Sequence, residues 1–172
     1  MAESFQAYRD RILGYLGTRD PIRVQQSTPS KLERLLRGVR RPQLTRRPSS
    51  AKWSILEIVS HMADAELAMG WRLRNMLAQP GVRLSWFDQD LWVRRLDYNA
   101  QDLRRQLAQF RAYREGNLAL LRSVPRRRWG SCYGVHEVRG RQTVTEFVRM
   151  EAAHDLAHLR QIGAILEQQP RT

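Results

Sequence analysis

His154 and His158 stand four residues apart, a spacing that puts both imidazoles on one face of a helix, on successive turns. Two histidines so placed can share one metal ion. The stripe that contains them, Phe147, Glu151, His154, His158, Ile162 and Ile165, is apolar at its ends and polar in its middle. Titratable groups inside a core-facing stripe destabilise a fold unless they are paired or ligate a metal. The pair alone is a loose motif, and two helical histidines also occur as surface residues or as hydrogen-bonded core residues. His61 adds a third imidazole. It follows Ile58 by three residues and precedes Ala65 by four, so it borders the apolar face of a separate helix near mid-height. Three histidines converging between two helices leave coordination positions for water or substrate, the arrangement of a catalytic rather than a structural metal. Three unrelated histidines in a bundle is the reading that spacing leaves open beside it.

Around these residues stand further candidates. Asp64, one turn after His61, and Glu151, one turn before His154, can serve as partners of the ligands or as a general base. The alternative is a surface carboxylate at 64 and an arginine partner at 151. His136 falls in a glycine-containing loop, from which it can reach a metal site as acid, base or substrate contact, or face solvent. Asp88, Asp90 and Trp92 belong to an aromatic-rich loop that can wall a pocket or pack on the bundle end.

The elements that must position these residues read as helices. Hydrophobic spacing of three and four dominates, and strand-like alternation is nearly absent. Phe5, Tyr8, Ile12 and Leu16 place a first helix near residues 3–17. Thr28 with Pro29 in the first turn predicts a short extra helix carrying Leu32, Leu35 and Leu36. Residues 40–50 form a loop. Ser54 and Glu57 make a capping box that opens a long helix to about Gln79, stopped by Pro80–Gly81. Residues 81–98 form a loop with at most a helical turn. Asn99 is expected to cap a third long helix with Asp102 in its first turn, running to Pro125. Residues 125–142 are again loop. Thr143 and Glu146 make a second capping box for a last helix ending near Gln168. Long helices joined by loops predict an all-α, four-helix bundle, one domain over residues 1–172.

The bulk numbers agree with such a domain. The chain has 172 residues, 42% hydrophobic and 27% charged. No apolar run approaches the roughly 18 residues a membrane span needs. The start Met1-Ala2-Glu3-Ser4-Phe5 has neither a basic segment nor an apolar stretch, so a cytoplasmic protein without a secretion signal is expected. Cys132 is the single cysteine, which excludes an internal disulfide and a multi-cysteine zinc site and is read as structural. The net charge is +13 and the pI about 11.3, values that invite a nucleic-acid reading. Yet doublets such as Arg40–Arg41 and Arg104–Arg105 are scattered, Arg126–Arg128 is the one triplet, and Lys31 and Lys52 are the only lysines. A dispersed arginine surface reads as a solvated face that favours anionic small molecules.

Two stretches resemble the DinB/YfiT-like superfamily. One runs Lys52-Trp53-Ser54-Ile55-Leu56-Glu57-Ile58-Val59-Ser60-His61-Met62-Ala63-Asp64-Ala65-Glu66; the other runs Glu151-Ala152-Ala153-His154-Asp155-Leu156-Ala157-His158-Leu159-Arg160-Gln161-Ile162. The loop Trp86-Phe87-Asp88-Gln89-Asp90-Leu91-Trp92 is similar to a segment of one branch. The resemblance implies an up-down-down-up bundle and a divalent metal, zinc or nickel, on His61, His154 and His158. It implies thiol-dependent S-transferase or isomerase activity on a small molecule, with a low-molecular-weight thiol as a co-substrate; a metal that activates bound water makes hydrolase chemistry the other expectation. One departure is Glu137 after His136, where many relatives carry proline. A homodimer is plausible for an exposed apolar face. The rival functions are a non-catalytic metal-binding bundle and a nucleic-acid-binding one.

Overall fold

The computed structural model describes residues 4–137 and 139–169. Helices dominate it: α1 Phe5–Leu16, α2 Pro21–Leu35, α3 Arg41–Thr45, α4 Ile55–Ala78, α5 Gln89–Arg95, α6 Leu103–Ser123 and α7 Val144–Glu167. Three short strands, β1 Val82–Leu84, β2 Tyr133–His136 and β3 Gly140–Thr143, and two 3-10 turns, Tyr98–Ala100 and Arg126–Arg128, complete the element order.

Both capping boxes form as the sequence predicts. Ser54 Oγ accepts from the Glu57 amide at 3.2 Å, and the Glu57 carboxylate accepts from the Ser54 amide at 2.7 Å. Thr143 and Glu146 do the same at 3.2 and 2.8 Å. These caps fix where α4 and α7 begin, and so set the height of the histidines that they carry.

The four-helix bundle is built from α2, α4, α6 and α7, each touching two of the others. Ile55 and Ile58 share a core with Ile162 and Ile165, while Leu73 and Met76 share one with Val144 and Phe147, so α4 and α7 are antiparallel. Helices α4 and α6 are parallel, since Phe110 joins the first of these cores and Leu118 and Leu121 the second. Gln25 meets Val148 and Arg114, and Glu33 meets Arg111, which sets α2 parallel to α7 and antiparallel to α6. The order is therefore up-down-down-up, with the crossover between α4 and α6 carrying β1 and α5.

Several details differ from the sequence reading. The segment expected to hold a short extra helix is the full first helix of the bundle, and α1 packs outside it on α7. Asp20, not Thr28, caps it, accepting from the Arg23 amide at 3.0 Å with Pro21 in the first turn. Pro29 thus sits inside α2. Its missing N–H would orphan the Gln25 carbonyl one turn back, but Arg114 Nη1 donates to that carbonyl at 3.0 Å. The short extra helix is instead α3. Asn99 does not cap α6. Asp102 does, accepting from the Arg105 amide at 2.9 Å, while Asn99 Oδ1 accepts from the Ser54 hydroxyl at 2.7 Å. Finally, the two expected loops pair into one sheet of order β1-β2-β3, parallel then antiparallel. Strands of three or four residues are too short to show a two-residue period. Gly134 permits the close approach of β1: a Cβ there would lie 2.6 Å from the Leu84 side chain.

Candidate metal centre

The antiparallel contact of α4 and α7 brings His61, His154 and His158 together, with one nitrogen of each within 4.8 Å of the others. Nε2 of His154 lies 3.2 Å from Nε2 of His61 and 3.0 Å from Nε2 of His158. Imidazole nitrogens bound tetrahedrally to one zinc at about 2.0–2.1 Å sit about 3.3 Å apart, so the spacing fits a single ion. Gln161, one turn on from His158, has Oε1 3.0 Å from His158 Nδ1. An Nδ1–H donated to that oxygen directs the Nε2 lone pair inward, toward the other two rings. Trp53 packs on His61 with ring centroids 4.9 Å apart.

Electrostatics keeps the three rings neutral. Burial, then the neighbouring His158, holds His61 well below the ordinary histidine range. His154 is held there by burial, then by His158 and His61. Burial takes His158 down to about 4, against a small upward pull from Gln161. A neutral imidazole with an inward lone pair is the form that binds metal.

Beside the histidines opens a cleft of about 470 Å³ that reaches His61 and His154. Asp88, Asp90 and Glu151 also line it. Asp88 in addition caps α5, accepting from the Leu91 amide at 2.9 Å. Glu151 is pushed up to about 8, chiefly by burial, then by the Glu66 and Asp155 carboxylates, with Arg114 and Arg72 pulling the other way. A second cleft of about 240 Å³ reaches His154 and His158 past Trp53 and Gln161. The imidazoles therefore form a wall between two openings.

Three candidates are placed elsewhere. Asp64 accepts a 2.6 Å bond from the Tyr98 hydroxyl, near the start of α6. His136 is buried in β2, where its Nδ1 accepts from the Arg139 amide at 3.4 Å. Trp92 stacks on Phe87 at 4.4 Å and does not line the main cleft, whereas Phe87 does. Sequence reasoning passed over Arg72, which lines the cleft, although it falls at helical spacing between Met69 and Met76. It also passed over the buried ion group of Arg114, Glu66 and Asp155, in which Arg114 contacts Glu66 at 2.7 Å and Asp155 at 2.6 Å. Arg114 lies four residues from both Phe110 and Leu118, a cation inside an apolar stripe, and that was the available signal.

The profile of the DinB superfamily matches residues 26–162, most of the chain and all three histidines. The chain belongs to the DinB superfamily. Among solved structures it is similar to YfiT from Bacillus subtilis, described as "a probable metal-dependent hydrolase with an unusual four-helix bundle topology". That likeness has a TM-score of 0.77 at 18% identity and covers 98% of this chain and 92% of that one. It establishes the shared fold. No curated protein matches the chain.

Proposed function

We propose that this DinB-superfamily protein is a metal-dependent enzyme acting on a small molecule, by hydrolysis or by transfer from a low-molecular-weight thiol. The observation that carries the reading is the convergence of three neutral, inward-facing Nε2 atoms on the wall of a cleft large enough for a substrate. His61, His154 and His158 would hold a divalent metal, zinc or nickel. When bound, it supplies a Lewis acid that lowers the pKa of water or a thiol. The remaining work falls to the chain. Trp53 and Gln161 fix the orientation of His61 and His158. Glu151, whose carboxyl titrates within reach of neutral pH and lines the same cleft, is the residue placed to take or return a proton. The YfiT description favours testing hydrolysis first.

The test is metal content by mass spectrometry, beside hydrolysis of ester and amide panels and thiol-transfer assays. The expected result is near-stoichiometric metal in the natural protein, lost together with activity in His154→Ala/His158→Ala. A natural protein that takes up neither zinc nor nickel would overturn the proposal. Homodimerisation belongs to the same reading, motivated by Leu67 and Trp71, exposed at 50% and 64% on α4. Light scattering decides it.

A further inference from the structure

Arg72 is only 5% exposed and lines the cleft that holds His61 and His154. A buried guanidinium is costly unless acceptors take up its charge. Here those acceptors are few. Nε and Nη2 both donate to one carbonyl, that of Ser85, and Nη1 has the Met69 sulfur at 3.6 Å, a weak acceptor. Phe87 covers one face of the group at 5.4 Å. Arg139, between β2 and β3, lines the same cleft and stacks on Phe5 at 4.4 Å. Among the described residues no carboxylate lies within ion-pair distance of either arginine. Glu151 attracts both but stays beyond that distance.

The two arginines mark one end of the cleft. The smaller opening at His158 includes neither of them. A further groove of about 170 Å³ shares Phe5, Arg139 and Met150 with the main cleft and continues to Arg9, Arg141 and Arg149, with no histidine among its walls. Its one acid, Glu146, is held by the Thr143 amide and hydroxyl at 2.8 and 2.7 Å. The main cleft thus joins a histidine end to an arginine end. The other walls of the main cleft combine Tyr8, Trp86, Phe87, Met69 and Met150 with the carboxylates Asp88, Asp90 and Glu151.

We propose that the cleft selects a small apolar molecule carrying an oxyanion, with Arg72 and Arg139 holding the anion and the other end of the ligand at His61 and His154. Guanidinium N–H donors match the oxygens of a carboxylate or a phosphate monoester, and with Arg72 Nε and Nη2 turned to Ser85, Arg72 Nη1 and the Arg139 guanidinium are the donors left for a ligand. The aromatic walls suit an apolar body. The assignment of the reacting end rests on the metal-enzyme reading above. The arginine subsite stands on its own geometry.

Calorimetric titration with 3-phenylpropionate, phenyl phosphate and the neutral 3-phenylpropanol tests it, on zinc-treated protein and on protein dialysed against chelator. Both metal states are needed because a carboxylate can also bind a metal directly. The expected result is at least one acid binding about tenfold or more tighter than the alcohol in both states. Whichever acid binds tighter identifies the oxyanion. Arg139→Gln, at an exposed position, and Arg72→Met should each remove about tenfold of that preference, with zinc uptake and melting temperature unchanged for Arg139→Gln. Equal binding of acids and alcohol, no binding of any of them, a preference present only with zinc, or one that survives Arg139→Gln would overturn the subsite. None of these results touches zinc stoichiometry, which tests the metal reading separately. Protein that takes up no zinc yet prefers acids through Arg139 would sink the metal reading and support the subsite.

Discussion

The chemistry of the site turns on what burial does to single side chains. His61, His154 and His158 lose their affinity for protons because a charged imidazole between α4 and α7 would be desolvated. The same three groups in an unfolded chain titrate near 6.5. Between that value and the lower folded one the unfolded state binds more protons, so stability rises with pH across the window and falls on acidification. His136, also depressed by burial, acts in the same direction. Glu151 and Asp155, both raised by burial, act in the opposite one. Four imidazoles against two carboxyls leave the histidines dominant. Metal-free protein is therefore expected to show a lower urea midpoint at pH 5 than at pH 6.5, with a smaller difference in His158→Gln. Glu151 provides a second prediction. Glu151→Gln should retain metal by mass spectrometry while losing most of the turnover, because the amide cannot exchange a proton. A divalent charge in the same cleft will draw the Glu151 pKa below about 8, so with Glu151 as the base the acidic limb of the activity profile, on which turnover rises with pH, should have its midpoint under that value.

The helices hold the histidines in place through a few contacts that outweigh local preference. Gly70, in the middle of α4, shows this. Replacing a helical glycine by alanine ordinarily gains about 1 kcal/mol of helix propensity. A Cβ at this position, however, would lie 2.5 Å from the Asn117 amide oxygen. Asn117 cannot withdraw without cost, because it donates to Glu66 at 2.8 Å and accepts from Arg74 at 2.7 Å. Each bond to a charged partner is worth roughly 1.5–3 kcal/mol, so the loss exceeds the gain. Gly70→Ala should lower stability in urea unfolding, against the propensity rule. Arg114 is the larger element-scale anchor, tying α6 to α4 and α7. Burial opposes its charge, yet the Asp155 and Glu66 carboxylates outweigh that and raise its pKa. Arg114→Met would leave two carboxylates buried without a cation, a change expected to cost about 3–5 kcal/mol by the same measurement.

At the scale of the whole molecule the basic excess is the dominant fact, 30 arginines and lysines against 17 acids. Several of the ion pairs, such as Arg111–Glu33 and Arg126–Asp20, lie at the surface, where such pairs contribute little. Self-repulsion among the remaining cations therefore goes largely unopposed. Raising sodium chloride from about 0.01 to 0.15 M shortens the screening length from about 30 to 8 Å. The melting temperature should rise over this range, whereas a fold held by surface ion pairs would melt lower. No described helix is long and apolar enough to cross a membrane.

The sequence alone determined α1, α4, α6 and α7, both capping boxes and the placing of His154 and His158 on one face. Each of these rests on residues close in the chain: Ser54 with Glu57, Thr143 with Glu146, His154 with His158. Local geometry suffices for such features, since helical periodicity and cap bonds span only a few residues. What the tertiary structure decided depends on partners far apart in sequence. Pro29 lies inside α2 because Arg114, on another helix, takes the carbonyl it orphans. Asn99 is turned from a cap into a tether by Ser54. Strands β1 and β2, some fifty residues apart, pair only because the crossover and the α6–α7 connection meet at one end of the bundle. Asp64 is drawn to Tyr98, and Arg72 becomes a cleft residue because Ser85 and Phe87 fold back over α4. The periodic pattern showed which faces would be buried. Only packing decided which polar side chains on those faces met each other and which met the cleft.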